Sequence, residues 1–92
     1  MKAQDLIALY QNGQRDFKKV ILGDVDLENV HLKEINLFGA DLQGADLHDS
    51  HLSDSNLVGA KLTKTNLEGA NLEGADLGGA ILEGTILEKK EG

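Results

Sequence analysis

A chain of 92 residues and 9.9 kDa has room for one small domain, and without a single Cys it has neither disulfides nor thiolate metal ligands to staple it. Pro and Trp are absent and aromatics make up 3%, so large rings cannot plug a core, yet 40% of residues are hydrophobic, more than a disordered chain carries. The net charge of −7 argues against direct binding to nucleic acid or an anionic membrane; no apolar run is long enough to cross a bilayer, and no signal-peptide pattern opens the chain, so a cytoplasmic location is expected.

Residues 3–12 form the first predicted element. Ala3, Leu6, Ile7 and Tyr10 recur at i, i+3, i+4 and i+7, which is one apolar face of a helix, and Asn12-Gly13 is a stop signal. A helix of about ten residues is unstable alone and must dock that face. Charge changes behind it. Residues 1–19 hold four basic against two acidic residues (+2), and residues 20–92 hold five against fourteen (−9).

From Leu22 to Leu87 a leucine stands at every fifth position without a miss, and Phe17 extends the ladder one step back. Two residues before each leucine sits a small or β-branched residue, as in Val20, Ala40, Ser50, Ala60 and Thr65. Between them comes mostly Asp, Asn or His, and the two positions after the leucine are polar or Gly. A step of five advances about 500° on an α-helix and scatters the leucines around it. On one flat strand the same step alternates faces. Within a pentad, however, the small residue and the leucine share a face. Each pentad therefore reads as a short extended side, with the last two residues turning a corner at Gly39, Gly44, Gly59, Gly69, Gly74, Gly79 or Gly84. Chained sides make an all-β solenoid.

This A-(D/N)-L-x-x pattern over residues 15–87 resembles the pentapeptide repeat proteins. The resemblance implies a right-handed quadrilateral parallel β-helix with four pentads per coil, about 3.75 coils here. Pairs twenty apart, such as His31/His51, Asn36/Asn56 and Asp26/Asp46, agree with that turn length. The string Leu6-x-x-x-Tyr10-x-x-Gly13-x-Arg15-Asp16-Phe17 is similar to the N-terminal cap of cyanobacterial members. The expected organisation is a capping helix over residues 1–13 and a β-helix over residues 14–92, forming one domain. A docked helix also shields the first coil's unpaired edge.

No nucleophilic Cys, phosphate-binding Gly loop or H-E-x-x-H motif occurs, and Ser50 and Ser55 fall at inward positions, so no enzyme and no cofactor are expected. His31 and His51 fall in one outward column, roughly 5 Å apart at strand spacing, with His48 on the adjoining side. Imidazoles are common zinc and copper ligands. No carboxylate motif completes the set, and His here replaces the Asp or Asn of other pentads as a polar filler, so no metal site is assigned.

Three surfaces are candidates for function. Four pentads per coil place Asp26, Glu28, Asp46, Asp49, Glu68 and Glu88 on one lateral face. Some members of the family are DNA mimics that inhibit DNA gyrase, and the resemblance makes an acidic inhibitor of a DNA-binding enzyme the alternative function. A rod of roughly 18 Å covers barely half of the ~34 Å DNA turn, which favours a solubilising role for the acidity. Phe38 and Val58 stack as an apolar outward pair on a face flattened by Gly39, Gly59, Gly78 and Gly79, and form the candidate partner face. Ile81 and Ile86 put apolar side chains at the rim of the last coil, where Glu88-Lys89-Lys90-Glu91 discourages edge pairing. The expected states are a monomer or a two-fold, end-to-end homodimer. The expected function is a non-enzymatic module that presents flat β-helix faces to a protein partner.

Overall fold

The computed structural model describes residues 1–87. Helix α1 (Ala3–Gln11) ends at Asn12, and Gly13 follows at φ 101°. Its bounds fall within one residue of the predicted span. Leu6 is fully buried, and Ala3, Ile7 and Tyr10 pack against the core. The Tyr10 hydroxyl donates to the Lys33 carbonyl at 2.6 Å, and the Arg15 guanidinium lies over the Tyr10 ring, 3.7 Å from its centre.

The rest of the described chain is a solenoid of very short sides. Eleven β-bridges, all parallel, join residues twenty apart, from Asp16 with Asn36 to Asn66 with Ile86. One turn therefore takes four pentads, as the internal pairs predicted. The leucine ladder points inward: Leu22 to Leu67 and Phe17 are buried without exception.

Pentad 40–44 shows why this unit repeats, because all five of its amides are bonded. Ala40 N–H donates to the Leu37 carbonyl (3.0 Å) and closes the corner; Asp41 donates to Val20 on the preceding turn (2.9 Å). Leu42 and Gly44 donate to Lys61 and Thr63 on the following turn (both 2.9 Å). The remaining amide, Gln43, donates to the Asp41 carboxylate at 3.0 Å. Buried or half-buried backbone groups need partners, and here the side chain before the leucine supplies the missing one.

That local bond recurs at Asp16, Asp26, Asn36, Asp46, Asn56, Asn66, Asn71 and Asp76, each oxygen accepting the amide two residues on. It is an Asx turn, which both Asp and Asn can form. We expect Asn56→Asp to leave stability unchanged. Asn56→Ala strands the Val58 amide and is expected to cost about 0.5–1.5 kcal/mol in urea unfolding. Equal losses for both variants would show that the side-chain oxygen has no such role.

The second residue after Phe17 and after each ladder leucine from Leu22 to Leu82 is left-handed. The seven corner glycines are joined there by Lys19, Asp24, Asn29, Glu34, Asp49, Asp54 and Lys64, with φ between 56° and 63°. Only Gly and, less readily, Asn or Asp enter this region at low cost. At Gly69 the absence of a side chain also matters to its neighbour, because a Cβ there would collide with the Asp49 carboxylate one turn away.

The interior carries few polar groups. Thr65 donates its hydroxyl to the Leu42 carbonyl at 2.6 Å, whereas the buried Ser50 and Ser55 hydroxyls have no partner among the described residues. Burial fades toward the C-terminal end. Leu72 and Leu77 are half-buried, and Ile81, Leu82, Ile86 and Leu87 are between 41% and 46% exposed. No described helix is long and apolar enough to cross a membrane.

Candidate functional site

The solenoid offers surfaces and no cleft: no pocket opens among the described residues. Because its sides are tied every twenty residues, each outward position lies in a straight column. The candidate faces can be read column by column.

On the side built over Phe17, Leu37 and Leu57, Phe38 and Val58 occupy adjacent turns. Gly39 N–H donates to the Val58 carbonyl at 2.8 Å, which locks the two segments together. Phe38 is 41% exposed and Val58 is half-buried. The place one turn further on is Gly78, so side-chain bulk falls from ring to isopropyl to hydrogen along this column. Ile81 and Ile86 lie at the C-terminal rim as predicted. The structure adds inward-position Leu82 and Leu87 to them, because these leucines have no following described turn to bury them.

On the side built over Leu27, Leu47 and Leu67, the structure gathers Asp26, Glu28, Asp46, Asp49 and Glu68; Glu88 lies outside the described residues. These acids are not equivalent. Asp26 and Asp46 hold the amides of Glu28 and His48 at 3.1 and 3.0 Å, and Asn66 does the same work one turn on. Glu28, Asp49 and Glu68 have no such backbone task.

His48 sits within this acidic group. Its Nδ1 is 3.1 Å from Asp46 Oδ1, and its Nε2 is 3.4 Å from Glu28 Oε1 and 3.7 Å from Asp49 Oδ2. The hydrogen bond to Asp46, followed by the charges of Glu28, Asp46 and Asp49, raises the His48 pKa against the opposing effect of burial. The His48 amide holds the Asp46 carboxyl below its ordinary value, with the imidazole adding to that effect. His31 and His51 form a separate stack with ring centres 4.2 Å apart and planes within 11°. Sequence reasoning placed that pair and missed the convergence on His48. The spacings 28/48 and 46/48/49 carry the signal once a twenty-residue turn is accepted.

The pentapeptide repeat profile matches residues 16–57 and 50–88, in eight copies. Among solved structures, the chain is similar to the pentapeptide repeat protein alr5209 of Nostoc PCC 7120, with 38% identity over 91% of this chain and 74% of that one, at a TM-score of 0.54. It is similar to Rfr23 of Cyanothece 51142, with 33% identity over 82% of this chain and 60% of that one, at 0.56. HetL of Nostoc PCC 7120, described as involved in heterocyst differentiation regulation, is 29% identical over 77% of this chain and 46% of its own length, at 0.54. The chain thus spans less than two thirds of the last two relatives. No curated protein sequence matches it significantly. Members of the family are structural repeat proteins wound as right-handed β-helices, and a five-residue unit with inward leucines and twenty-residue turns, matched by the profile over most of its length, makes this chain a member of the pentapeptide repeat family.

Proposed function

We propose that this chain is a non-enzymatic, cytoplasmic interaction module that presents its faces to a protein partner. Its frame is read as a right-handed quadrilateral β-helix of about 3.75 coils, counted as fifteen pentads at four per turn, with α1 covering the first edge. The observation that carries the reading is Phe38. An aromatic ring exposed over half-buried Val58, on a rigid side flattened by glycines, is the kind of anchor that concentrates binding energy. A regulatory setting is in keeping with the described role of HetL.

The test is affinity capture from a cyanobacterial lysate with wild type, Phe38→Ser and Glu68→Ala. A partner retained by wild type and Glu68→Ala and lost by Phe38→Ser is expected. Identical capture by all three removes this face from consideration. The DNA-mimic alternative uses the acidic side, where Asp26 and Asp46 serve the backbone and Asn66 replaces them without loss of the bond. A gyrase supercoiling assay separates the two readings, and no inhibition at micromolar protein is expected.

The C-terminal rim is the second contact surface in this reading. The amides of Leu77, Gly79, Leu82 and Gly84 find no acceptor among the described residues, beside exposed Ile81, Leu82, Ile86 and Leu87. A two-fold, end-to-end homodimer would cover them and close on itself. Light scattering at several hundred micromolar should detect it, and the Ile81→Lys, Ile86→Lys double variant should be monomeric. A dimer that survives both substitutions places the contact elsewhere.

A further inference from the structure

We propose that Glu28, His48 and Asp49 form a surface site for a divalent transition cation of the zinc type, with Asp46 as the positioning residue for the imidazole. The cluster draws on two turns of the solenoid. Glu28 lies one turn before His48, Asp46 two residues before it, and Asp49 directly after it. Ligand-type atoms of Glu28, Asp46 and His48 all lie within 4.8 Å of one another.

The hydrogen-bond pattern assigns different tasks to the two ring nitrogens. Asp46 is itself anchored, since its Oδ1 accepts the His48 amide at 3.0 Å, and the same oxygen faces Nδ1 at 3.1 Å. That contact selects the tautomer with a proton on Nδ1 and leaves the lone pair on Nε2. A carboxylate holding the far nitrogen is the usual support of a metal-ligating imidazole. Nε2 then lies between two further carboxylates, Glu28 at 3.4 Å and Asp49 at 3.7 Å. Ligands bonded at ~2.0–2.1 Å in a tetrahedron are separated by roughly 3.3–3.4 Å. The Glu28 separation from Nε2 already matches that value, and the Asp49 separation from Nε2 slightly exceeds it.

Charge and chemistry agree. Three carboxylates surround one imidazole, and among the described residues no Lys or Arg forms an ion pair with any of them. A mixed imidazole and carboxylate set suits zinc and its neighbours, whereas calcium and magnesium prefer all-oxygen shells. Glu28 and Asp49 are free to ligate because neither side chain caps a backbone amide. The backbone beneath is fixed by the Asp26–Asp46 bridge and by the Asn29 amide bonded to the His48 carbonyl at 3.0 Å.

The test is calorimetric titration of the intact protein with Zn2+, with Mg2+ and Ca2+ as controls, followed by heteronuclear NMR of the histidine nitrogens. One zinc per chain is expected, with a shift of the His48 Nε2 resonance, and with Mg2+ and Ca2+ at least tenfold weaker. Glu28→Gln and His48→Gln should each weaken zinc at least tenfold. Asp46→Asn should weaken it by about 10–100-fold, the usual loss when the group orienting a ligand is altered. The His31→Gln, His51→Gln double variant should bind within twofold of wild type, and circular dichroism should show every variant folded. Equal zinc affinity in His48→Gln, loss of binding in the His31/His51 variant, or an unshifted His48 resonance would each overturn the assignment.

Discussion

Leu57→Asp is expected to abolish cooperative folding. Leu57 is fully buried, in the inward column of Phe17, Leu37 and Leu77, and the backbone beside it is bridged on both flanks through Asn36–Asn56 and Asn56–Asp76. A carboxylate placed there meets leucines above and below and no cation. Removing a buried leucine side chain to Ala typically costs about 2–5 kcal/mol, and an unpaired buried charge adds several more. Small domains have only about 5–15 kcal/mol in total. In a solenoid each turn is stabilised by its neighbours, so a broken middle turn uncouples both ends. Thermal melting followed by circular dichroism should lose its sigmoidal transition. A melt within a few degrees of wild type would refute the stacked interior, and Glu68→Ala, on the surface, should stay within about 0.5 kcal/mol of wild type.

Leu6→Ala is the second large effect. Leu6 is the one fully buried side chain of α1, a helix too short to persist alone. It holds the helix against the first turn, where the Tyr10 hydroxyl and the Arg15–Tyr10 contact fasten the far end. The expected loss is about 2–5 kcal/mol. It should also be polarised: hydrogen exchange at Leu22, Leu27 and Leu32 should accelerate more than at Leu62 and Leu67. Uniform acceleration along the rod would mean that α1 does not act through the first turn.

Much of this architecture is legible in the residues. A leucine at every fifth position with a small residue two before it admits neither a helix stripe nor a flat strand, because 3.6 and 2 do not divide five. The i, i+3, i+4, i+7 face of Ala3, Leu6, Ile7 and Tyr10 announces α1, and Asn12-Gly13 its end. Pairs such as His31/His51 point to the turn length, and the stacked rings follow. These features are local or strictly periodic, so a linear reading captures them.

The remaining features depend on which residues the winding brings together. The outward Asp and Asn read as solubilising decoration, yet their oxygens complete the amide accounting of the pentad, an interaction whose signal was available in the D/N preference itself. Corners at Lys19, Glu34 and Lys64 adopt the left-handed backbone that glycine marks elsewhere, because the turn-to-turn ladder imposes one conformation on every described corner. Leu82 and Leu87 obey the same repeat as Leu22 and Leu67 but are exposed among the described residues, where no further turn covers them, since burial is conferred by the next turn and not by the leucine. The convergence of Glu28, Asp46 and Asp49 on His48 is of the same kind. A five-residue period dictates a solenoid and its inward side chains on steric grounds alone. Which surface charges meet is set by the twenty-residue closure of the turn, since Coulomb and ligand interactions depend on distance in space and not on separation along the chain.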